Sequence, residues 1–446
     1  MSSLYIPAAI FCLASAAIYS LYSRYNRSHL RLPPGPRKLP LVGNLFDVPP
    51  TFQWERYKQW SQQYNSDVIH LSLAGKSVIV LSSLEAAEDL LEKRSSIYSD
   101  RTDFPMVVDL MGWDFNIGDE WRASRRLVNH ALNAKASRQF RPQELAASRA
   151  LLPHLLHSPD QFVAHFRHMA AQVIMAITYG ITVRPADDPY IILAEKAAES
   201  FSLAAVPGLY LVDTFPLLKY VPAWMPGAGF KRQAAVGRAL ARAALETPFT
   251  ETKQQMGAGV APGSFTSDAL HAMKDCDALY YQERHIKAAA GSMFTAGADT
   301  TPDAQRKAQA EIDSVTGRKH LPDFGDEASL PYVSALVKEV LRWKNITPSG
   351  LPHRLITDDE YPVKDPEAAF GFGRRICPGR HLVRSFVWIT VASILATFNI
   401  EKAVDDTGHA IEPSGEYSSE LVSSPLPFKC SIVPRSEDAV ALIRSM

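Results

Sequence analysis

The densest chemistry in the chain is the run Phe370-Gly371-Phe372-Gly373-Arg374-Arg375-Ile376-Cys377-Pro378-Gly379-Arg380. Its first two glycines permit a tight backbone approach, and the neighbouring arginines offer forks that pair anions. Cys377 stands just before an apolar helix whose first turn would contain Pro378, a favoured place for proline. A thiol at a helix N-terminus beside cations is biased toward the thiolate, which suits a soft metal or a haem iron. The plain alternative is a structural cysteine in a glycine-rich turn, and the cysteine on its own favours that alternative.

Other chemistries are excluded by inspection. The chain has no G-x-S-x-G, no H-E-x-x-H, no Walker loop and no C-x-x-C. Gly371 and Gly373 begin a G-x-G-x-x-G, but Ile376 stands where the last glycine belongs, so the dinucleotide reading fails. Four cysteines (Cys12, Cys276, Cys377, Cys430) are too few and too scattered for a disulfide framework or a zinc site. With 47 basic and 47 acidic side chains in 446 residues, there is no electrostatic case for nucleic-acid binding. A composition that is 46% hydrophobic excludes a disordered or collagenous chain.

Taken whole, the cysteine run resembles the haem-binding loop of cytochromes P450, F-x-x-G-x-R-x-C-x-G, at Phe370, Gly373, Arg375, Cys377 and Gly379. The resemblance implies haem b as cofactor, with Cys377 as the axial iron ligand and Arg375 on a haem propionate. It further implies that Phe370 shields the thiolate and that Gly379 leaves its N–H free to approach the sulfur. Glu339-Val340-Leu341-Arg342 matches the family's E-x-x-R, spaced i, i+3 on a helix with an apolar stripe through Val333, Leu336, Val337, Val340 and Leu341. Ala296-Gly297-Ala298-Asp299-Thr300-Thr301 matches the oxygen-activation stretch, where Gly297 loosens the helix and Asp299 and Thr300 relay protons. Trp121 and Arg125 match W-x-x-x-R, both implied as propionate contacts, and His353 or its neighbour Arg354 would be another. The wording of Met111–Phe115 and Pro427–Ser431 looks most like fungal members of specialised metabolism.

These residues must be positioned by a mainly α body with a small β-sheet, the P450 fold. Helical periodicity runs through Ser148–Gly180, Pro189–Ala205, Lys231–Leu245, Tyr281–Thr301, Ala304–Val315, Pro331–Lys344 and Arg380–Thr397. A hairpin is predicted over Asp67–Leu73 and Ser77–Ser82, turning at Ala74-Gly75-Lys76. Pro425–Val433 reads as a late strand, paired with another near the C-terminus. The uncharged run from Leu4 to Tyr22 would span about 28 Å as a helix, enough to cross a bilayer. Arg24, Arg27, Arg31, Arg37 and Lys38 follow it, which places the body on the cytoplasmic side. The layout expected is therefore an anchor over 1–22, a basic and proline-rich arm over 23–45, and a catalytic domain over 46–446, at the endoplasmic reticulum membrane.

Two departures from the family's pattern matter most. Pro302 follows Thr301 at once, where the central helix should continue. Only residues 343–376 separate Arg342 from Cys377, with no P-E-R-F-like motif to give the E-x-x-R pair its third partner. A shorter gap falls at Asn116–Asp119. The fold is therefore expected to be incomplete between the central helix and the next, and between the E-x-x-R helix and the haem loop.

The resemblance implies a monooxygenase that inserts one oxygen atom from dioxygen into a small lipophilic substrate, with electrons from NADPH through a separate NADPH-cytochrome P450 reductase. The candidate lining is Phe104–Asn116 and Phe201–Tyr220, which would look alike if it merely packed on a bilayer. Arg374, Arg380 and Arg384 are either a patch for an acidic reductase or simply solvated. The alternatives are a truncated, catalytically impaired haem protein or non-functional form, and a haem-thiolate isomerase or peroxygenase that needs no reductase.

Overall fold

The computed structural model describes residues 32–40, 42–114, 121–185, 187–206, 208–272, 279–291, 302–343, 347–357, 370–420 and 422–446. The proposed membrane span Leu4–Tyr22, the stretch Ala296–Thr301 and the short segment Asn116–Asp119 lie outside them. Among the described residues the longer helices are α1 (Gln53–Tyr64), α2 (Trp121–Leu132), α3 (Arg141–His157), α4 (Phe162–Tyr179), α5 (Pro189–Ala204) and α6 (Gly229–Gly257). They continue with α7 (Phe265–His271), α8 (Leu279–Gly291), α9 (Pro302–Thr316), α10 (Pro331–Trp343), α11 (Arg380–Thr397) and α12 (Glu437–Arg444). Strands form three separate antiparallel pairs: β1 (Val68–Leu73) with β2 (Lys76–Leu81), β3 (Asp100–Arg101) with β4 (His353–Arg354), and β5 (Phe398–Lys402) with β6 (Cys430–Pro434).

Local chemistry explains several helix limits. Asp188 caps α5 by accepting from the Tyr190 and Ile191 amides, with Pro189 at the first position. Ser264 and Ser267 form a reciprocal capping box on α7, and Ser436 caps α12. The predicted helix Ser148–Gly180 is two helices, because Pro159 opens a 3-10 turn and Ser158 before it leaves helical geometry. Pro248 does not stop α6, which runs well beyond the predicted Leu245. Burial of Pro248, Phe249 and Thr252 holds the helix past the missing amide.

Helix α11 is the spine. Trp388, Ile389, Ala392 and Leu395 pack with Val333, Leu336 and Val337 of α10 and Ala308 and Ile312 of α9. Trp388 donates to the Ser334 hydroxyl at 3.1 Å. On the other side α3 lies along α11, and there Glu144 is fully buried and accepts the Ser385 hydroxyl. Burial pushes the Glu144 carboxyl up from 4.5 to about 7, against the pull of Ser385 and Arg141. The folded chain therefore holds a proton there that the unfolded chain releases above pH 4.5. Stability falls as pH rises from 4.5 to about 7, by about 3 kcal/mol in all, and is level above that. Glu144→Gln should match the parent near pH 4.5 and exceed it by about 3 kcal/mol at pH 8 in denaturant titrations.

The hairpin turns in two residues, not three. Ala74 and Gly75 both have positive φ, the twist that a tight hairpin needs, and Lys76 already pairs with Leu73. The proline-rich arm is not a free spacer over residues 34–44. The His70 amide donates to the Pro34 carbonyl, and Asn44 accepts from the Ser72 amide while donating to the Pro36 and Arg37 carbonyls. The late strand β6 pairs with β5, which leaves α11 directly, and not with a strand near the C-terminus. Gln305 and Gln309 of α9 fix β5 by bonding the Ile400 and Phe398 carbonyls.

Candidate active site

The loop before α11 is closed on itself by the Cys377 amide donating to the Phe370 carbonyl at 2.8 Å. Gly373, at φ +53°, lies against the segment Leu91–Ser95: a Cβ there would fall 2.1 Å from the Leu91 carbonyl oxygen. The Gly379 amide points at Cys377 Sγ, as does the Arg380 amide. A Cβ on Gly379 would stand 3.9 Å from that sulfur, an ordinary contact, so the sulfur alone does not demand glycine there. Burial pushes the Cys377 thiol up, against these two amides and the charges of Arg125 and Arg380. The expected bias toward thiolate is thus outweighed by desolvation. The Arg384 guanidinium covers the Phe370 ring at 5.0 Å.

Around this loop the fold gathers cations. Arg125, one turn into α2, donates to the Ile376 carbonyl beside the cysteine. Arg375 donates to the Ser99 carbonyl at 2.9 Å. Arg101, on β3, donates to the Leu351 and Pro352 carbonyls at 2.6 and 2.9 Å. Burial and then the nearby Arg125 press Arg101 down to about 10. Among the described residues the hydrogen bonds of Arg101 and Arg125 go only to backbone carbonyls. His353, the register partner of Arg101, presents Nδ1 to the Tyr98 carbonyl at 2.7 Å. A carbonyl only accepts, so Nδ1 carries the proton and Nε2 is left as an acceptor. Burial, Arg101 and Arg375 hold this histidine down at about 4, so the ring is neutral. Arg354, the other candidate, is taken up by Asp100 and Asp103.

The geometry thus brings together Arg125, His353, Phe370, Gly373, Arg375, Cys377 and Gly379, and adds Arg101, which carries no recognisable motif. Glu339 and Arg342 pair with each other at 2.7 Å on the open face of α10 and, among the described residues, bond nothing else. The Trp121 side chain, Gly297, Asp299 and Thr300 lie outside the described residues. Of the candidate lining segments, Phe104–Trp113 turns inward and packs on Ala197, Ala204, Val212 and Ala234, with Trp113 and Phe201 rings 4.8 Å apart. Leu209, Leu211, Phe215, Leu217 and Tyr220 remain exposed.

A half-buried thiol at the mouth of α11, beside cations with no bonded carboxylate at Arg101 or Arg125, fits a ligand with a soft metal and anionic groups. The family profile described as Cytochrome P450 matches residues 33–362. Cytochrome P450 monooxygenase 98 of Postia placenta is 41% identical, over 97% of this chain and 96% of that protein. The chain belongs to the cytochrome P450 family. Tryptamine 4-monooxygenase of Psilocybe cyanescens is 38% identical over 96% of this chain and 97% of its own length. Cytochrome P450 monooxygenase ple1 of Rhodocybe pseudopiperita is 36% identical over 99% and 96% respectively. This P450 is accordingly a monooxygenase, a haem-thiolate oxidoreductase, and membership implies a haem cofactor and a general need for a redox partner. The mainly helical architecture with small two-stranded sheets agrees with that fold. Among the described residues no helix is long and apolar enough to cross a membrane.

Proposed function

We propose that this P450 inserts one oxygen atom from dioxygen into a small lipophilic substrate in fungal specialised metabolism, terpenoids among the candidate classes, and that Cys377 is its iron ligand. The observation that carries this reading is the half-buried Cys377 thiol at the start of α11, with Arg125 donating to the Ile376 carbonyl beside it and Arg101 next to Arg125. Bound haem supplies the activation of dioxygen. The chain's own residues do the rest. Arg125, Arg375 and Trp121 hold the propionates, and Arg101 joins them from β3. His353 keeps the Tyr98 carbonyl in place beside Arg375. Phe370 would keep water from the sulfur, Gly297, Asp299 and Thr300 would serve proton delivery to bound dioxygen, and Glu339 with Arg342 would steady α10 as an ion pair. Electrons arrive from NADPH through NADPH-cytochrome P450 reductase, with Arg374 and Arg384 exposed for an acidic partner.

Anchoring at the endoplasmic reticulum by Leu4–Tyr22, with the body cytoplasmic, completes the reading. It is supported by the apolar surface of Leu211, Leu217, Tyr220 and Trp224. That surface is joined through Lys76 and Asp213 to the hairpin on which the arm after the span is docked. The reduced carbon-monoxide difference spectrum of membranes carrying the chain tests the whole proposal: a strongly red-shifted Soret band is expected. Absence of any haem band with protein present overturns it in favour of the truncated, impaired form. That second reading draws support from the alignment with the Postia placenta relative, which runs over 499 positions against 446 residues here.

Arg101 gives a sharper check. Arg101→Ala should speed haem loss to apomyoglobin by about 10-fold, since an interior charge-assisted hydrogen bond to a carboxylate contributes about 1.5 to 3 kcal/mol. Arg101→Lys, which keeps the charge without the fork, should fall between the two.

A further inference from the structure

Glu144 is a fully buried carboxyl with no part in the chemistry proposed above, and it lies against the helix that follows the cysteine loop. Its two oxygens stand 2.9 and 2.8 Å from the Ser385 hydroxyl of α11. Arg141, at the start of α3, donates to Glu327 at 2.7 Å and covers the Phe324 ring, which stacks on Trp388 of α11 at 6.0 Å. Ser385 and Trp388 are i, i+3 neighbours on one face of that helix. The first turn of α3 therefore holds α11 at two points a turn apart. The charged groups that face Glu144 are Arg141 of its own helix and Glu327 of the 3-10 turn before α10, while α11 meets it with Ser385.

The Ser385 oxygen also stands 3.1 Å from the Leu382 carbonyl, and a hydroxyl has one hydrogen to give. With Glu144 neutral, the carboxyl O–H donates to the serine oxygen, and the serine hydrogen goes on to Leu382. With Glu144 ionised, the serine donates to the carboxylate and Leu382 loses that bond. The lost proton also leaves a buried charge opposed only by Arg141, which Glu327 already engages, and that cost is relieved by parting α3 from α11. Leu382 belongs to the first turn of α11, where the Val383 amide bonds the Gly379 carbonyl and the Gly379 and Arg380 amides point at Cys377 Sγ. We propose that Glu144 is a positioning residue for Cys377: through Ser385 it fixes the first turn of α11, and loss of its proton loosens that turn around the thiol. For its effect on bound haem the proposal rests on Cys377 being the iron ligand; for its effect on the thiol it does not.

Alkylation of Cys377 by iodoacetamide in the full haem-free chain, followed by peptide mass mapping, compares the parent with Glu144→Gln, which keeps a partner for Ser385 but cannot ionise. Both chains share the thiol's own titration, so the ratio of their rates isolates Glu144. Parent over variant, that ratio should be about 1 near pH 5.5 and rise about 10-fold by about pH 8.5, once the carboxyl has passed its titration at about 7. Ser385→Ala should speed the reaction about 10-fold near pH 5.5, and Ser385→Thr, which keeps the hydroxyl, should match the parent. Cys430 in the same digests reports general opening and should react alike in every chain. In membranes, the strongly red-shifted share of the reduced carbon-monoxide complex should fall over the same pH range in the parent and stay level in Glu144→Gln. A rate ratio fixed at 1, a Ser385→Ala chain that reacts like the parent, or Cys430 rates that rise with those of Cys377 would overturn the proposal. A rising ratio beside a haem band indifferent to pH would overturn its haem half. A rising ratio with no haem band at all would instead fail the monooxygenase reading and leave the positioning of the thiol standing.

Discussion

Cys377→Ala is expected to abolish the red-shifted carbon-monoxide band and all NADPH-dependent turnover while the chain stays folded. The loop's closure does not use the sulfur. The Cys377 amide bonds the Phe370 carbonyl, the Ile376 amide bonds the Gly373 carbonyl, Arg125 grips the Ile376 carbonyl, and Arg380 reaches the Cys377 carbonyl. All of these involve the cysteine loop's backbone and survive the substitution. What is lost is one partly buried sulfur and the two amides that point at it, a change of about 1 kcal/mol in stability. The catalytic effect is far larger, because thiolate donation is what favours O–O cleavage, and no neighbouring side chain can replace it. The other cysteine among the described residues, Cys430, sits on β6 in register with Lys402 of β5. A red-shifted band persisting in Cys377→Ala would therefore contradict the assignment outright. Haem spectra and melting curves of the same preparation read both halves of the prediction.

What the residues announced, and what they did not, follows from the range of the interactions involved. Helix α11 begins and ends where its pattern said, at Arg380 and Thr397, because the glycine and proline before it and the extended Phe398 after it are local signals. The cysteine loop was legible for the same reason: its glycines, arginines and thiol are consecutive. Arg101 was not. Nothing in Ser99-Asp100-Arg101 distinguishes it from a surface arginine until β3 pairs with β4 across the chain and brings it beside His353 and Arg125. Glu144 carries no motif either, and the packing of α3 on α11 buries it. Prolines divide likewise: Pro159 breaks a helix while Pro153 and Pro248 are carried inside helices, a choice made by tertiary packing. The partner of β6 depended on which strand α11 delivers beside it, a long-range matter that alternation of residues along one strand does not encode.

The two glycines of the cysteine loop separate a conformational requirement from a steric one, and their alanine variants should behave very differently. Both have positive φ, +71° at Gly371 and +53° at Gly373, so each alanine carries the cost of left-handed backbone, about 1 kcal/mol. Among the described residues nothing lies within 4 Å of a Cβ on Gly371, so Gly371→Ala should lose about that amount and still take up haem. At Gly373 the added carbon would sit 2.1 Å from the Leu91 carbonyl oxygen, 3.0 Å from Glu92 Cα and 3.0 Å from Ser95 Cβ. Two of these three atoms are backbone, in a π-helical turn that has Leu90 buried beneath it, so neither side can yield without unpacking. Gly373→Ala should thus cost about 4 kcal/mol or more, or else drive the loop away from Leu91–Ser95. Either response moves Arg375 off the Ser99 carbonyl and shifts Cys377 relative to Arg125, so haem incorporation should fail even where the protein accumulates. Haem content per mole of purified chain, compared across the two variants, decides it. Equal occupancy would show that the loop does not depend on its contact with Leu91, and would remove the steric reason offered here for glycine at 373.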